Sequence, residues 1–224
     1  MLPELGVVLD AGTGMFRVRD LIETDTLDIF LSHVHLDHCV GLTFLYDVLL
    51  EKDLSRVTVH VDEQKIDAIK NHLYSEPMFP VEPNFEFQPL AKKHTLPDGS
   101  TISSIPVEHP GGCHGFRIDW PDRNMAYITD TTAHVEADYV AEIENVDTLI
   151  HECYFADGWE DKAKLTGHSC LTPVAKVAAK ANAKRMFLVH INPLDESDTP
   201  LDLDSVADTY AEITVATDHL VIDV

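Results

Sequence analysis

The sequence is poor in positive charge. Sixteen lysines and arginines face 39 aspartates and glutamates, a formal net charge of −23 at pH 7 over 224 residues. Such a chain repels polyanions at long range, so a broad phosphate-tracking surface is disfavoured and nucleic acid is not the expected partner. No run of 18 apolar residues occurs, which excludes a membrane-spanning helix. The first residues, MLPELGVVLDAG, carry no basic stretch and no cleavage-site pattern, so no secretory leader is expected and the chain is read as cytoplasmic. Cysteine is scarce as well. Cys39, Cys113, Cys153 and Cys170 form no CxxC pair and are expected to be reduced and buried. No repeat, low-complexity tract or long linker interrupts the chain, and residues 1–224 are read as a single domain with a sizeable core.

Segments rich in Val, Ile, Phe and Tyr recur, and they are expected to be strands: 6–10, 27–33, 56–61, 85–90, 101–109, 115–120, 125–130, 148–155, 185–191 and 219–224. Helical spacing covers 40–52, 62–74 and 172–185. The last of these has Thr172 as expected N-cap and Pro173 at the first helical position. Strands alternate with a few helices without a strict βαβ rhythm, which indicates sheets covered by helices.

Histidine is plentiful, 13 in all, and its placement is informative. SHVHLDHCVG (32–41) carries His33, His35, Asp37 and His38 directly after a strand-like run. His109 ends the segment 101–109, Asp130 ends 125–130, and His190 lies near the end of 185–191. Ligands at strand ends converge on one edge of a sheet, where loops share a mouth. Imidazole and carboxylate suit zinc, manganese or iron. An HxHxDH loop cannot place all four side chains on one ion, and its natural use is with two neighbouring ions, as in two-metal hydrolases.

HVHLDH (33–38), with His109, Asp130 and His190 downstream and DAGTG (10–14) upstream, resembles the metallo-β-lactamase superfamily over nearly the whole chain. The resemblance implies an α/β fold, an αββα sandwich of two mixed β-sheets flanked by helices. The N-terminal sheet would be shortened, because Asp10 is reached almost at once, unless the sequence starts inside a longer protein. It further implies two divalent metal ions, zinc first, with manganese and iron as alternatives. His33, His35 and His109 would bind one ion; Asp37, His38 and His190 would bind the other; Asp130 would bridge them with a hydroxide. Two dications against Asp37, Asp130 and hydroxide leave about one positive charge, which favours a small anionic substrate despite the acidic surface.

LIHECYF (149–155), GHS (167–169) and LVHINP (188–193) resemble the branch that holds the tRNA 3′-processing endonuclease RNase Z and a cyclic phosphodiesterase of phosphonate breakdown. In that branch His168 would protonate the leaving oxygen and Glu152 would orient it, joining Asp37 as catalytic groups. RNase Z enzymes commonly carry a tRNA-gripping arm between the positions of His109 and Asp130, and here residues 110–129 are already occupied by two strand-like segments. The expected activity is therefore hydrolysis of a small or cyclic phosphodiester. The alternatives are an RNase Z-like 3′-endonuclease, another ester hydrolase (lactone, thioester or sulfate ester) on the same ions, or a metal-binding protein without activity. Asp10 is read as a structural turn residue. His151 is read as structural, pointing away from Glu152 by strand alternation, and His114 as a surface residue. An exposed edge of the shortened sheet would suit pairing with a second copy of the chain, a homodimer.

Overall fold

A computed structural model describes all residues except Glu82, Glu196 and Asp198. The chain forms two compact units, residues 1–92 with 96–98, and residues 93–95 with 99–224. No helix among the described residues is long and apolar enough to cross a membrane.

The first unit is built on a four-stranded sheet, β1 (Val7–Leu9), β2 (Thr26–Phe30), β3 (Arg56–Val61) and β4 (Glu86–Pro89), in that spatial order. Every neighbouring pair is parallel, so each connection must cross over the sheet. The crossovers are short helical pieces. They comprise a 3-10 segment (Thr13–Leu21), α1 (Leu36–Cys39), a second 3-10 segment (Val40–Phe44), α2 (Leu45–Val48), and α3 (Glu63–Ala68) continuing into a π turn (Ile69–Leu73). Alternation along β2 and β3 sends Leu27, Ile29, Val57, Val59 and Val61 to one face, where they pack with Met15, Leu42, Leu45 and Val48. The opposite face carries a polar network. His60 Nε2 lies 2.8 Å from Asp28 Oδ1, Arg56 donates to Asp28 Oδ2 at 3.0 Å, and the His60 ring stacks on Phe30 at 4.2 Å.

The second unit holds a seven-stranded sheet. Its strands are β5 (Lys93–Thr95), β6 (Thr101–Val107), β7 (Cys113–Asp119), β8 (Asn124–Ile128), β9 (Thr148–Glu152), β10 (Arg185–Val189) and β11 (Ile213–Val215), neighbouring one another in sequence order. β5 to β8 pair antiparallel, and β8 to β11 pair parallel. The parallel half needs helical crossovers, which α4 (Asp138–Glu142), α5 (Glu160–Thr166) and α6 (Leu171–Lys180) supply. α6 is Ala- and Lys-rich, and it buries Leu171, Val174, Ala175, Val177 and Ala178 against a core containing Leu149, Met186 and Leu188.

The two sheets flanked by helices agree with the expected fold class, with one refinement: the second sheet is mixed, and the first is parallel throughout. Three local expectations are corrected. Residues 40–52 do not form one helix. The Gly41 N–H donates to Ala11 O at 2.7 Å, a bond to the DAGTG turn that replaces a regular helical one. Residues 219–224 form no strand. The edge of β10 is taken instead by the β-branched segment Ile213–Val215, while Val221 is exposed. The N-cap of α6 is Cys170, because Asp157 accepts bonds from both the N–H and the hydroxyl of Thr172 and draws that residue into the first turn.

Candidate functional site

The first unit contributes His33, His35, Asp37 and His38, all on the loop and short helix that follow β2. Their rings cluster: His33 lies 4.5 Å from His35 and 4.3 Å from His38, centroid to centroid. His33 and His38 are buried, whereas His35 and Asp37 are exposed. Asp37 Oδ2 stands 3.4 Å from His38 Nε2. Two ligand atoms about 2.1 Å from one tetrahedral ion lie about 3.4 Å apart, so this donor pair fits a shared cation.

The DAGTG turn fixes these ligands. Asp10 adopts a left-handed backbone (φ 59), which a short polar side chain tolerates. Its Oδ1 accepts from Ser32 N at 2.7 Å, and its Oδ2 accepts from the Ser32 hydroxyl at 3.0 Å. The same Oδ2 lies 3.0 Å from His38 Nδ1, and Ser32 Oγ lies 3.0 Å from His33 Nδ1. With Nδ1 engaged, Nε2 is the coordinating nitrogen of both rings. Gly12 is required by space rather than by its backbone angles, since a Cβ there would stand 2.3 Å from Asp37 O. Asp10 is thus structural, as expected, but its work is to orient two histidines as well as to turn the chain.

The second unit gathers His109, Asp130, Glu152, His168 and His190. Asp130 sits just after β8, buried, and takes the Thr129 hydroxyl on Oδ1 at 2.9 Å. Its Oδ2 lies 3.7 Å from His109 Nε2, and its Oδ1 lies 3.5 Å from His190 Nε2. One carboxylate oxygen therefore faces each histidine, at separations beyond a hydrogen bond and suited to an ion between donors. His109 Nδ1–H donates to Gly167 O at 2.9 Å, which fixes its tautomer. Gly167 is in the left-handed region (φ 77), and a Cβ there would stand 2.7 Å from His109 Nδ1. His190 is also left-handed (φ 55), a conformation that costs a non-glycine residue energy and recurs at functional sites.

His168 follows that glycine. Its Nδ1 is 3.8 Å from Glu152 Oε1, and its ring stacks on His190 at 5.3 Å and on Tyr154 at 4.9 Å. Glu152 is fully buried and accepts from Thr131 N at 3.3 Å and Tyr154 N at 3.0 Å. Burial pushes its carboxyl well above the usual range, against the lowering effect of those backbone bonds. Ser169 ties the segment down, donating to Thr131 O at 2.7 Å and accepting from Ala133 N at 2.9 Å.

His151 turns away from this group, as alternation implies. Its Nδ1–H donates to Glu152 O at 2.7 Å, so its Nε2 accepts from the Tyr139 hydroxyl at 3.0 Å. Burial drives its imidazole down to about 4. His114 is half-buried on β7 opposite Pro106, not at the surface. All four cysteines are free and buried, as expected. Tyr154 and Ser32 were not identified from sequence. No spacing marks a tyrosine two residues beyond a glutamate as a ring partner for a histidine, and the Asp10–Ser32 pair is distant in sequence.

The donor types and separations within each unit fit divalent ions, and the comparisons with known proteins agree. The model of the Beta-lactamase superfamily domain matches residues 6–191. A relative named Ribonuclease Z, from Porphyromonas gingivalis, is 27% identical over 247 aligned residues, covering 82% of this chain and 78% of that protein. Among solved structures, the metallo-beta-lactamase fold protein YhfI from Bacillus subtilis has a TM-score of 0.80 at 19% identity, over 97% of this chain and 87% of that one. A diphosphatase from the PhnP family has a TM-score of 0.71 at 21% identity, over 96% of this chain and 77% of that one. The chain belongs to the metallo-β-lactamase superfamily, in the RNase Z-like branch that its motifs resemble.

Proposed function

We propose that the protein is a dinuclear metal-dependent hydrolase of phosphodiesters, acting on a small or cyclic substrate. His33, His35 and His109 would hold one ion, Asp37, His38 and His190 the other, and Asp130 both. Zinc is the first choice, and manganese or iron would suit the same donors. When bound, the ions supply Lewis acidity toward the phosphoryl oxygens and a water activated at neutral pH. Asp37 would help to hold its ion and would orient an attacking water there. His168 gives its proton to the departing oxygen through Nε2, because Nδ1 faces Glu152. Glu152, fully buried and held by the Thr131 and Tyr154 backbone N–H groups, keeps that imidazole oriented. The observation that carries this reading is the pairing of His168 with a fully buried Glu152 beside His109, Asp130 and His190 in one unit. A strong acid at the leaving group is what an alkoxide requires, and an activated ester has less need of it.

A second reading is favoured by the relative named Ribonuclease Z: cleavage of an RNA 3′ extension. The expectation that nucleic acid is not a partner therefore has no support from the comparisons. What favours the smaller substrate is that residues 110–129 are taken up by β7, β8 and their turns, leaving no arm at that place. The deciding experiment is an activity panel on the full chain, loaded separately with zinc and manganese. It should include bis(4-nitrophenyl) phosphate, 2′,3′- and 3′,5′-cyclic nucleotides, a tRNA precursor, a lactone and a thioester. Turnover of the small diesters is expected. Turnover of the precursor alone selects the second reading, and turnover of the lactone or thioester alone refutes both.

A further inference from the structure

Beside His168 the second unit carries a cavity of about 270 Å³, which the metal ligands do not line. Its walls include Tyr154, Phe155, Trp159, Lys162, Asn192 and Asp195. Tyr154 links it to the chemistry, since the ring that lines the cavity also stacks on His168 and lies 5.7 Å from His190. Trp159 is 55% exposed, an indole kept in water where the loop enters α5, and so available as a stacking platform. The Lys162 ammonium lies 5.2 Å over the Trp159 ring and 5.9 Å over Phe155, held against aromatic faces.

The loop bearing these rings is fixed before any ligand arrives. Phe155 N donates to Ser169 O at 3.0 Å, and Asp157 anchors Thr172 through bonds of 2.9 and 2.6 Å. A wall held in place costs little further ordering on binding. Hydrogen bonds from Ser197 hold the Asp195 carboxyl below the usual range, so it stays an anion. Asp195 and Lys162 line the same cavity, so neither sign of charge dominates its walls, and the aromatic faces of Tyr154, Phe155 and Trp159 are what an entering ring would meet. The volume sits at the small end for ligand sites, which suits one ring system and not a long chain.

We propose that this cavity takes a planar heteroaromatic ring of the substrate, stacked on Trp159 and Tyr154, so that the substrate class is nucleotide-like. The ring would lie on the leaving-group side of the phosphate, a placement that rests on the phosphodiesterase reading through His168. The ring preference itself does not depend on hydrolysis.

The test is calorimetric titration of the full chain in chelator, comparing adenosine 5′-monophosphate with ribose 5-phosphate. The two carry the same phosphate and differ in the ring. Adenosine monophosphate should bind at least about ten-fold more tightly, and Trp159→Ala should remove most of that advantage while Trp159→Phe keeps it. Equal affinity for the two ligands, or an unchanged preference in Trp159→Ala, overturns the proposal. The comparison on the unmodified protein needs no variant to fold. A ring preference without turnover of any phosphodiester leaves the pocket standing and removes the hydrolase reading; turnover without ring preference does the reverse.

Discussion

Asp10 shows how much of the candidate site depends on residues that would touch no ion. Its carboxylate holds His38 directly and His33 through Ser32. Outer partners of this kind commonly change metal affinity about 10–100-fold. Asp10→Asn keeps the tolerance for a left-handed backbone and removes the charge. It should weaken zinc binding by about ten-fold in competition with a chelating indicator, and an unchanged affinity would contradict the orienting role. His151 makes a different prediction. Its imidazole is held at about 4 in the fold against 6.5 when exposed. Below pH 6.5 the unfolded chain takes up a proton that the fold refuses. Stability is therefore lost as pH falls from 6.5 toward 4, at about 1.4 kcal/mol per unit. Urea unfolding in chelator at pH 7 and pH 5 should show a smaller loss for His151→Gln than for the parent, by about 2 kcal/mol. The ligands themselves were legible in the sequence because HVHLDH packs four of them into six positions. The Asp10 and Tyr154 contacts were not, because each depends on a tertiary approach that no local spacing encodes.

At the scale of elements, the segment from Glu152 through α5 to Ser169 does the positioning. Gly167 ends α5 in the left-handed region, and its carbonyl fixes His109 while the next residue is His168. Gly167→Ala meets both a disfavoured backbone and a 2.3 Å approach to Pro110 Cδ. It should cost at least about 1 kcal/mol of stability by urea unfolding and weaken metal binding in the same protein. A variant as stable as the parent, with unaltered affinity, would contradict this. Most strands were legible from their β-branched runs, β3 to the residue. The errors share a cause. The apolar pattern of 40–52 is real, but Gly41 is bonded to the DAGTG turn and the helix breaks. The run at 219–224 looks like a strand, but the place beside β10 is filled by Ile213–Val215. In both cases a tertiary partner overrode a local preference.

For the whole molecule the net charge of −23 is the dominant electrostatic fact. It destabilises a folded chain by self-repulsion, and bound divalent ions would relieve part of that. Saturating zinc or manganese at about 100 times Kd should stabilise by about 2.7 kcal/mol, which for a chain of this size raises Tm by about 5–10 °C over the chelated protein. No shift on metal addition would count against a metal centre. The branch of the superfamily was legible from GHS and HE, whose side chains the structure places 3.8 Å apart. Substrate size was argued from the short interval 110–129, and the ring pocket around Trp159 carried no sequence signal.

The most direct test of the hydrolase reading is the dependence of rate on leaving group in His168→Ala, metal-loaded, against the parent. A methyl or ribosyl leaving group needs protonation, and loss of a general acid there costs about 10²–10⁴-fold. The expected result is a loss of that order in kcat for such a diester and a much smaller loss for bis(4-nitrophenyl) phosphate. An equal loss on both substrates, or none on either, would contradict the assignment of His168 as the acid that completes phosphodiester cleavage.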